Sequence, residues 1–192
     1  MPIAVDVAIL LSGAARTVVE RLNAGFDHAP GAGFRFGPSC HPHVTLSQHF
    51  VRRERLSEVR RLVGDVVGRL DRFELRVTGA RAGRTAQVLA VEASAPLGQL
   101  HERLMDALRN EEVAGDAAAF QASGAPARPA DVAWVDGFRE RSSYARYDPH
   151  VTVGIGPRPL STAPFRFPAD EVALCRLGRF CTCRDRLAGW TL

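Results

Sequence analysis

The sequence predicts an α+β fold in which an antiparallel sheet is covered by helices on one side. Strand-like and helix-like segments follow one another in an order close to βαβαββα, and then β and ββ close the chain. Connections rich in glycine and proline separate these segments. Hydrophobic residues make up 46% of the 192-residue chain and charged residues 24%, which is typical of a globular domain with its own apolar core.

The spacing of apolar residues predicts a first strand followed by a first helix. Residues 3–11 form an apolar run that alternates like a strand. A short helix is predicted over 14–23, with Ser12 as its possible N-cap and Gly25 just after its end. These two elements bring the chain to a loop over 28–42, which carries glycine and proline throughout.

A second strand, a long helix and two further strands complete the first half of the pattern. Residues 43–51 are predicted as a strand, and 55–70 carry the apolar stripe of an amphipathic helix. Residues 73–77 and 88–93 are strand-like runs.

The second half begins with a helix from Pro96, a residue that fits a first turn, to about Asn110. The Ala-, Gly- and Pro-rich stretch 111–130 predicts a mobile connection with room for one short helix. A strand is predicted over 149–155. After a proline-rich break, the runs 171–183 and 186–191 predict a closing hairpin.

Charge and hydropathy narrow the function classes. The net charge of +4 mildly favours an anionic partner, although all 25 basic residues are arginine, which indicates a compositional bias across the chain. No apolar run approaches the roughly 18 residues of a membrane helix. The apolar N-terminal run is short and has no preceding basic flank, so no signal peptide is predicted and the expected location is the cytoplasm.

The four cysteines, Cys40, Cys175, Cys181 and Cys183, are expected to be free thiols. Nothing in the sequence indicates secretion, so two disulfides are not expected. Their spacing lacks the paired ligand motifs of a zinc site, and the prediction is therefore no metal and no cofactor.

The tetrapeptide Pro-His-Val-Thr occurs twice, at 42–45 and at 149–152, and an aliphatic residue follows each copy. In a strand, alternate side chains share a face, so each copy presents an imidazole beside a hydroxyl and buries its aliphatic residues. Two imidazoles provide the acid and the base that a metal-free attack on a phosphodiester requires. Two hydroxyls can donate to the phosphate oxygens.

These two motifs resemble the paired H-x-T-x signatures of the two-histidine (2H) phosphoesterase superfamily, which includes bacterial RNA 2′-5′ ligase-like proteins and cyclic nucleotide phosphodiesterases. The resemblance implies one domain over 1–192, with two pseudo-symmetric lobes of antiparallel sheet, helices on the outside and a central groove. It implies that His43 and His150 are catalytic and that Thr45 and Thr152 bind the substrate phosphate. It also implies activity on 2′,3′-cyclic phosphates or 2′-5′ linkages, with a nucleotide or RNA end as the partner.

Other residues beside the motifs are weaker candidates for the groove. Ser47 and His49 continue the alternation that begins at His43, and Arg146 and Tyr147 precede the second motif. Arginines here could meet phosphate and aromatic residues could stack on a base. The further candidates of these two kinds are Phe50, Arg52, Arg139, Arg141 and Tyr144.

Two alternatives remain open at this level. The same groove could bind a nucleotide or RNA end without turnover, or it could join RNA ends through 2′-5′ bonds. The second is the reverse reaction, and the same acid and base serve both directions. No membrane association and no obligatory protein partner are predicted.

Overall fold

The computed structural model describes residues 1–29, 31–122 and 124–192. It contains two four-stranded antiparallel sheets with helices packed on them, as the α+β prediction expects. The strands are β1 (Pro2–Leu10), β2 (His43–Arg52), β3 (Glu74–Ala82), β4 (Ala86–Val91), β5 (His150–Ile155), β6 (Phe165–Pro168), β7 (Glu171–Gly178) and β8 (Thr182–Thr191). The helices are α1 (Gly13–Asn23), α2 (Leu56–Val67), α3 (Ala95–Ala107), α4 (Pro129–Asp136) and α5 (Phe138–Ser142).

The two sheets have the strand orders β2-β1-β7-β8 and β5-β4-β3-β6. The two motif strands, β2 and β5, therefore each lie at an edge of their sheet, and they contact each other. Each motif strand pairs with an antiparallel neighbour that precedes it in the chain, β1 or β4, and each connection between them contains a helix. This repeated arrangement gives the two lobes their pseudo-symmetry.

Alternation along β1 determines which of its side chains face the core. Ile3, Val5, Val7 and Ile9 belong to the large apolar cluster that α1, α2 and α3 also help to fill. The opposite face of β1 carries two alanines, Leu10 and one carboxyl group, Asp6. Ala4 belongs to an apolar cluster with Phe50 and Phe120, and Ala8 belongs to one with Cys175 and Cys183.

Two local expectations are corrected by the structure. Ser12 stands at the N-cap position of α1 but makes no capping hydrogen bond, because its hydroxyl donates to Asp170. The stretch after α3 is packed rather than loosely attached: the Val113 amide donates to the Phe50 carbonyl, and the Gln121 amide donates to the Leu177 carbonyl at 2.6 Å. These backbone bonds fasten the connection to β2 and β7.

The remaining differences concern short elements. Helices α4 and α5 and strand β6 are missing from the sequence prediction, because elements of four to eight residues carry too little periodicity to be identified. The predicted closing hairpin is present as β7 and β8, with a tight turn at 179–181. No helix among the described residues is both long enough and apolar enough to cross a membrane.

Candidate active site between the two motif strands

A cavity of about 340 Å³ lies where the two motif strands meet. Its size falls within the range of small-molecule sites, roughly 300–1,000 Å³. Both lobes contribute three matching positions to its wall: His43, Thr45 and Gln48 from β2, and His150, Thr152 and Ile155 from β5. The structure therefore brings both motif histidines and both motif threonines to one cavity.

A β-bulge follows each motif threonine. In the first lobe the register passes from Thr45 to Ser47, so Leu46 is the extra residue. In the second lobe it passes from Thr152 to Gly154, so Val153 is the extra residue. A bulge shifts the alternation by one residue, which turns the third residue after each threonine toward the cavity.

The bulge overturns the expectation that Ser47 and His49 continue the face of His43. Ser47 is fully buried away from the cavity, and Gln48 takes the place in the wall. His49 points instead to Glu112, with its Nδ1 2.9 Å from Oε1 of that carboxylate. In the second lobe Gly154 packs against Phe26, so its lack of a side chain accommodates a core contact and does not open the cavity.

Each motif histidine is oriented by the backbone two residues before it. The Nδ1 atom of His43 lies 2.8 Å from the His41 carbonyl oxygen, and the Nδ1 atom of His150 lies 2.7 Å from the Asp148 carbonyl oxygen. A carbonyl only accepts, so Nδ1 carries the proton in both rings. The neutral rings therefore both have their lone pair on Nε2.

Asp6 lies beneath the first motif and is fully buried. Its Oδ2 accepts hydrogen bonds from the Thr45 hydroxyl at 2.8 Å and from the Gln48 side-chain amide at 2.6 Å, and it is 3.6 Å from Nε2 of His43. Burial raises the pKa of Asp6 to about 7, against the lowering effect of the bonds from Gln48 and Thr45. An un-ionised Asp6 can donate to Thr45, which leaves the threonine hydroxyl proton free to point into the cavity.

Burial also dominates the electrostatics of His43, whose side chain is 11% exposed. Desolvation lowers the pKa of His43 to about 4, with a further lowering by His150 and an opposing effect of the His41 carbonyl. The free protein therefore holds His43 in its neutral form near pH 7.

Basic and aromatic side chains surround the motif residues in the cavity wall. The arginines are Arg81, Arg84, Arg128 and Arg146, and the aromatic residues are Phe34, Phe36, Trp134, Phe138, Tyr147 and Phe180. Arg146 and Tyr147, both predicted from the sequence, are thus at the cavity. The other predicted candidates, Phe50, Arg52, Arg139, Arg141 and Tyr144, do not line it.

Tyr147 connects the two motifs. Its hydroxyl donates to the Thr45 carbonyl at 2.8 Å, and its ring stacks on His101 with the ring centres 3.9 Å apart. His101 is fully buried and hydrogen-bonded to the Leu46 carbonyl and to the Tyr144 amide. Tyr147 is therefore a packed bridge between β2 and the segment before β5, with one face of its ring covered by His101.

The turn between β7 and β8 holds an aromatic ring at the cavity in a left-handed backbone conformation. Phe180 has a φ of 63° and Cys181 a φ of 53°, values that non-glycine residues rarely adopt. Asp131 supports this turn by accepting a hydrogen bond from the Phe180 amide at 3.2 Å. Arg128 binds the same carboxylate and lies over the Phe180 ring, 4.1 Å from its centre. Such supported strain is common beside functional sites.

All four cysteines are free, as expected; Cys40, Cys175 and Cys183 are buried, and Cys181 is half-buried. Cys183 lies on β8 and faces the same side of the sheet as Asp6. One ligand atom each from Asp6, His43 and Cys183 can be chosen so that all three lie within 4.8 Å of one another. The sequence reasoning missed Asp6; the only local signal is an acidic residue in the middle of an apolar strand.

Comparison with known proteins supports the resemblance seen in the motifs. Residues 13–179 match the sequence profile of the 2′-5′ RNA ligase superfamily. No curated protein sequence matches the chain.

Solved structures share the fold over almost the whole chain. The crystal structure of TT0787 of Thermus thermophilus superposes with a TM-score of 0.64 at 18% identity, covering 99% of this chain and 98% of that one. E. coli LigT complexed with NADP+ gives 0.63 at 20% identity, covering 100% and 99%. The MHV ns2 PDE domain gives 0.53 at 13% identity, covering 86% and 90%.

Proposed function

Because this chain belongs to the 2′-5′ RNA ligase superfamily, we propose that it is a metal-independent phosphodiesterase acting on 2′,3′-cyclic phosphates or 2′-5′ linkages of nucleotides or RNA. The observation that carries this proposal is the matched pair of imidazoles. His43 and His150 line one cavity, and each has Nδ1 held by a backbone carbonyl so that Nε2 is free for proton transfer. Among the described residues of the cavity wall, no other pair offers two such groups from symmetric positions.

The reaction requires one proton to be taken and one to be given. In hydrolysis of a cyclic phosphate, a base takes a proton from water as it attacks phosphorus, and an acid protonates the ester oxygen that departs. By resemblance to the superfamily, His150 is the base and His43 the acid. The step leaves His150 protonated and His43 neutral, and proton exchange with solvent then returns each ring to its starting form.

The acid role asks His43 to carry a proton that burial disfavours in the free protein. A phosphodiester anion in the cavity favours the protonated ring, because an opposite charge nearby stabilises imidazolium. An imidazolium in such a buried place is also a strong acid toward the departing oxygen. Binding of the substrate thus favours the protonated form of His43 that the reaction requires.

The threonine hydroxyls serve the phosphate oxygens. Thr45 and Thr152 occupy equivalent places beside the two imidazoles, at the same cavity. Thr45 reaches the phosphate as a donor when Asp6 supplies the hydrogen bond between them, which is possible only for the protonated acid. Arginines in the wall add positive charge around the phosphate.

The aromatic part of the wall supports a nucleotide as the substrate. Trp134, Phe138 and Phe180 line the cavity beyond the motif residues, and bases stack on such rings. Structures of E. coli LigT with 3′-AMP and with ATP belong to the same fold, at 19% and 18% identity. We extend nucleotide binding from that protein to this one as part of the proposal.

The test is a turnover assay with 2′,3′-cyclic nucleotides and with 2′-5′ and 3′-5′ dinucleotides, in the presence of a chelator. We expect hydrolysis to survive the chelator, and either His43→Ala or His150→Ala to lower the rate by about 10² or more. The double variant should lose little more, because the pair acts as a unit. His28→Ala is the matched control, since His28 lies outside the cavity and bonds only to the Asn23 carbonyl among the described residues.

A substrate with an activated leaving group separates the two roles, because its departure scarcely needs an acid. It should restore turnover in His43→Ala and leave His150→Ala inactive. Restoration of the His150 variant alone would exchange the roles. Full activity in both single variants would refute the two-histidine mechanism.

Ligation is the second candidate, favoured by the description of the superfamily whose profile matches. The same acid and base would join a 2′,3′-cyclic phosphate end to a 5′-hydroxyl end through a 2′-5′ bond. Incubating the two RNA ends together and looking for a 2′-5′-linked product tests it. A protein that only binds nucleotides would instead show saturable nucleotide binding and no hydrolysis, both in the wild type and in the two histidine variants.

A further inference from the structure

We propose that Asp6, His43 and Cys183 form a zinc-binding site whose occupation switches the enzyme off. The three residues come from β1, β2 and β8, and their ligand atoms lie within 4.8 Å of one another. Nε2 of His43 and Oδ2 of Asp6 are 3.6 Å apart. In a tetrahedral site with metal–ligand distances of about 2.0–2.3 Å, neighbouring ligand atoms are roughly 3.3–3.7 Å apart, so this pair already has the required separation.

The imidazole is prepared for a metal in the way that zinc-binding histidines are. Its Nδ1–H group is bound to a backbone carbonyl, which fixes the tautomer and leaves the Nε2 lone pair free, with Nε2 3.6 Å from the carboxylate. The carboxylate is oriented as well, by the Thr45 hydroxyl and the Gln48 amide on Oδ2. Both ligands therefore have the outer hydrogen bonds that hold them in place.

The second carboxylate oxygen gives an independent reason to expect a ligand here. Oδ1 of Asp6 is buried and has no hydrogen-bond partner among the residues that the structure describes. A buried carboxylate with an unsatisfied oxygen is costly, and a cation bound at Oδ2 would neutralise the charge that the two oxygens share. The neighbouring thiol also lacks a disulfide partner, and Cys183 is completely buried.

The donor set selects the kind of metal. One thiolate, one imidazole and one carboxylate suit Zn²⁺ and exclude Mg²⁺, which prefers oxygen ligands alone. Binding converts the Cys183 thiol to a thiolate and releases its proton to solvent. Three protein ligands leave a fourth position for a water molecule, and of the three ligands His43 lines the cavity.

Occupation must suppress the proposed reaction, because zinc takes the Nε2 lone pair with which His43 exchanges protons. This consequence rests on the proposed function, whereas metal binding itself does not. The site also differs from a catalytic zinc centre in that the reaction proceeds without it. Zinc therefore acts as an inhibitor that competes with phosphate for one end of the cavity.

The experiment uses the full chain, first freed of metal with a chelator. Zinc is titrated in a calorimeter, and cobalt serves as a spectroscopic probe because Co²⁺ bound to thiolate absorbs strongly in the near ultraviolet. We expect one zinc per chain and a thiolate band with cobalt. Cys183→Ser should abolish the band and weaken zinc binding by at least about 10²-fold, since even outer-shell changes cost 10–100-fold.

Cys181→Ser is the matched control, because Cys181 is the thiol that lines the cavity outside this ligand set. It should keep both the band and the affinity. Asp6→Asn should weaken zinc binding while its urea unfolding curve reports whether the fold is intact. Absence of stoichiometric binding, or a cobalt band that persists in Cys183→Ser and disappears in Cys181→Ser, would overturn the site.

Activity measured in the same preparations separates this inference from the proposed function. Turnover that is lost on adding zinc and restored by chelator supports the switch, and Cys183→Ser should resist zinc relative to its own metal-free rate. A chelator-treated enzyme that turns over normally at saturating zinc would overturn the switch and leave the proposed function standing. A protein that binds zinc as described but hydrolyses none of the substrates would refute the proposed function and leave the site standing.

Discussion

Glu112 offers a quantitative test of how the connection after α3 is fastened to the motif strand. Its carboxylate accepts from His49 at 2.9 Å and from Nε of Arg139 at 2.9 Å, and its backbone bridges to Val51 on β2. His49 and Arg139 are mostly buried, with 2% and 21% of their side chains exposed. Replacing Glu112 with Gln removes the charge that both of these groups meet.

The magnitude follows from the pKa of the carboxyl group. Burial, the largest influence, raises it, but the hydrogen bonds from His49 and Arg139 outweigh burial and lower the pKa of Glu112 from 4.5 to about 2. That difference corresponds to about 3 kcal/mol of stability. Because 27% of the Glu112 side chain is exposed, screening by solvent reduces the contribution to about 2 kcal/mol.

The sign fixes the pH dependence. The folded state holds the ionised form more strongly than the unfolded state does, so the contribution is complete above pH 4.5 and is lost as the pH falls toward 2. Urea unfolding should therefore show Glu112→Gln to be about 2 kcal/mol less stable than the wild type at pH 7. The gap should narrow steadily between about pH 5 and pH 3.

Glu74→Gln is the control, since the Arg166–Glu74 pair is exposed on both sides and should contribute no more than about 0.5 kcal/mol at pH 7. A difference for Glu112→Gln that stays constant from pH 7 to pH 3 would refute the reasoning, because it would come from shape or packing rather than from charge. A difference no larger than that of the control would mean that the cluster does not anchor the connection.

Two further predictions concern the motif residues in steady-state kinetics. Thr45→Val and Thr152→Val should each lower kcat/KM by an amount equivalent to about 2–3 kcal/mol. Thr45→Ser should retain most of the activity, because it keeps the hydroxyl. Equal losses for the Ser and Val variants would show that the hydroxyl does not contribute. Tyr147→Phe removes the hydrogen bond to the Thr45 carbonyl. Urea unfolding should therefore show a free energy of unfolding lower by about 1 kcal/mol, and kcat/KM should fall up to about tenfold. Unchanged stability and activity would refute the bridging role of Tyr147.

The long helices and strands could be predicted because the regular spacing of their apolar residues is visible in the local sequence. The bounds of β1 and β2 lie within one residue of those predicted from their alternation, and those of α2 lie within about three residues of those predicted from its apolar stripe. The prediction of a mobile connection over 111–130 does not hold for 111–122, for a reason that composition cannot reveal. Its amides bond to carbonyls of β2 and β7, far away in sequence, and Glu112 adds the ion cluster.

The site shows the same division at the level of single side chains. The sequence predicts that both motifs contribute to one cavity, because the same tetrapeptide of consecutive residues occurs twice. The structure places His43, Thr45, His150 and Thr152 there. The positions that follow each motif could not be predicted, because the bulge that turns Gln48 inward depends on pairing with β1 and changes no residue type in the sequence.

The chemistry around the first motif depends on strand order more than on the motif itself. In the order β2-β1-β7-β8, β1 is the inner neighbour of the motif strand, so a single acidic residue on its concave face lies directly beneath His43 and Thr45. The second motif strand meets an apolar residue instead: Asp6 pairs with Gln48, and at the matching place in β4 Ala86 pairs with Ile155 and lines the cavity. The two lobes share a backbone plan but differ in charge. The buried carboxyl group of Asp6 lies 3.6 Å from Nε2 of His43, so the two histidines have different surroundings, as separate acid and base roles require.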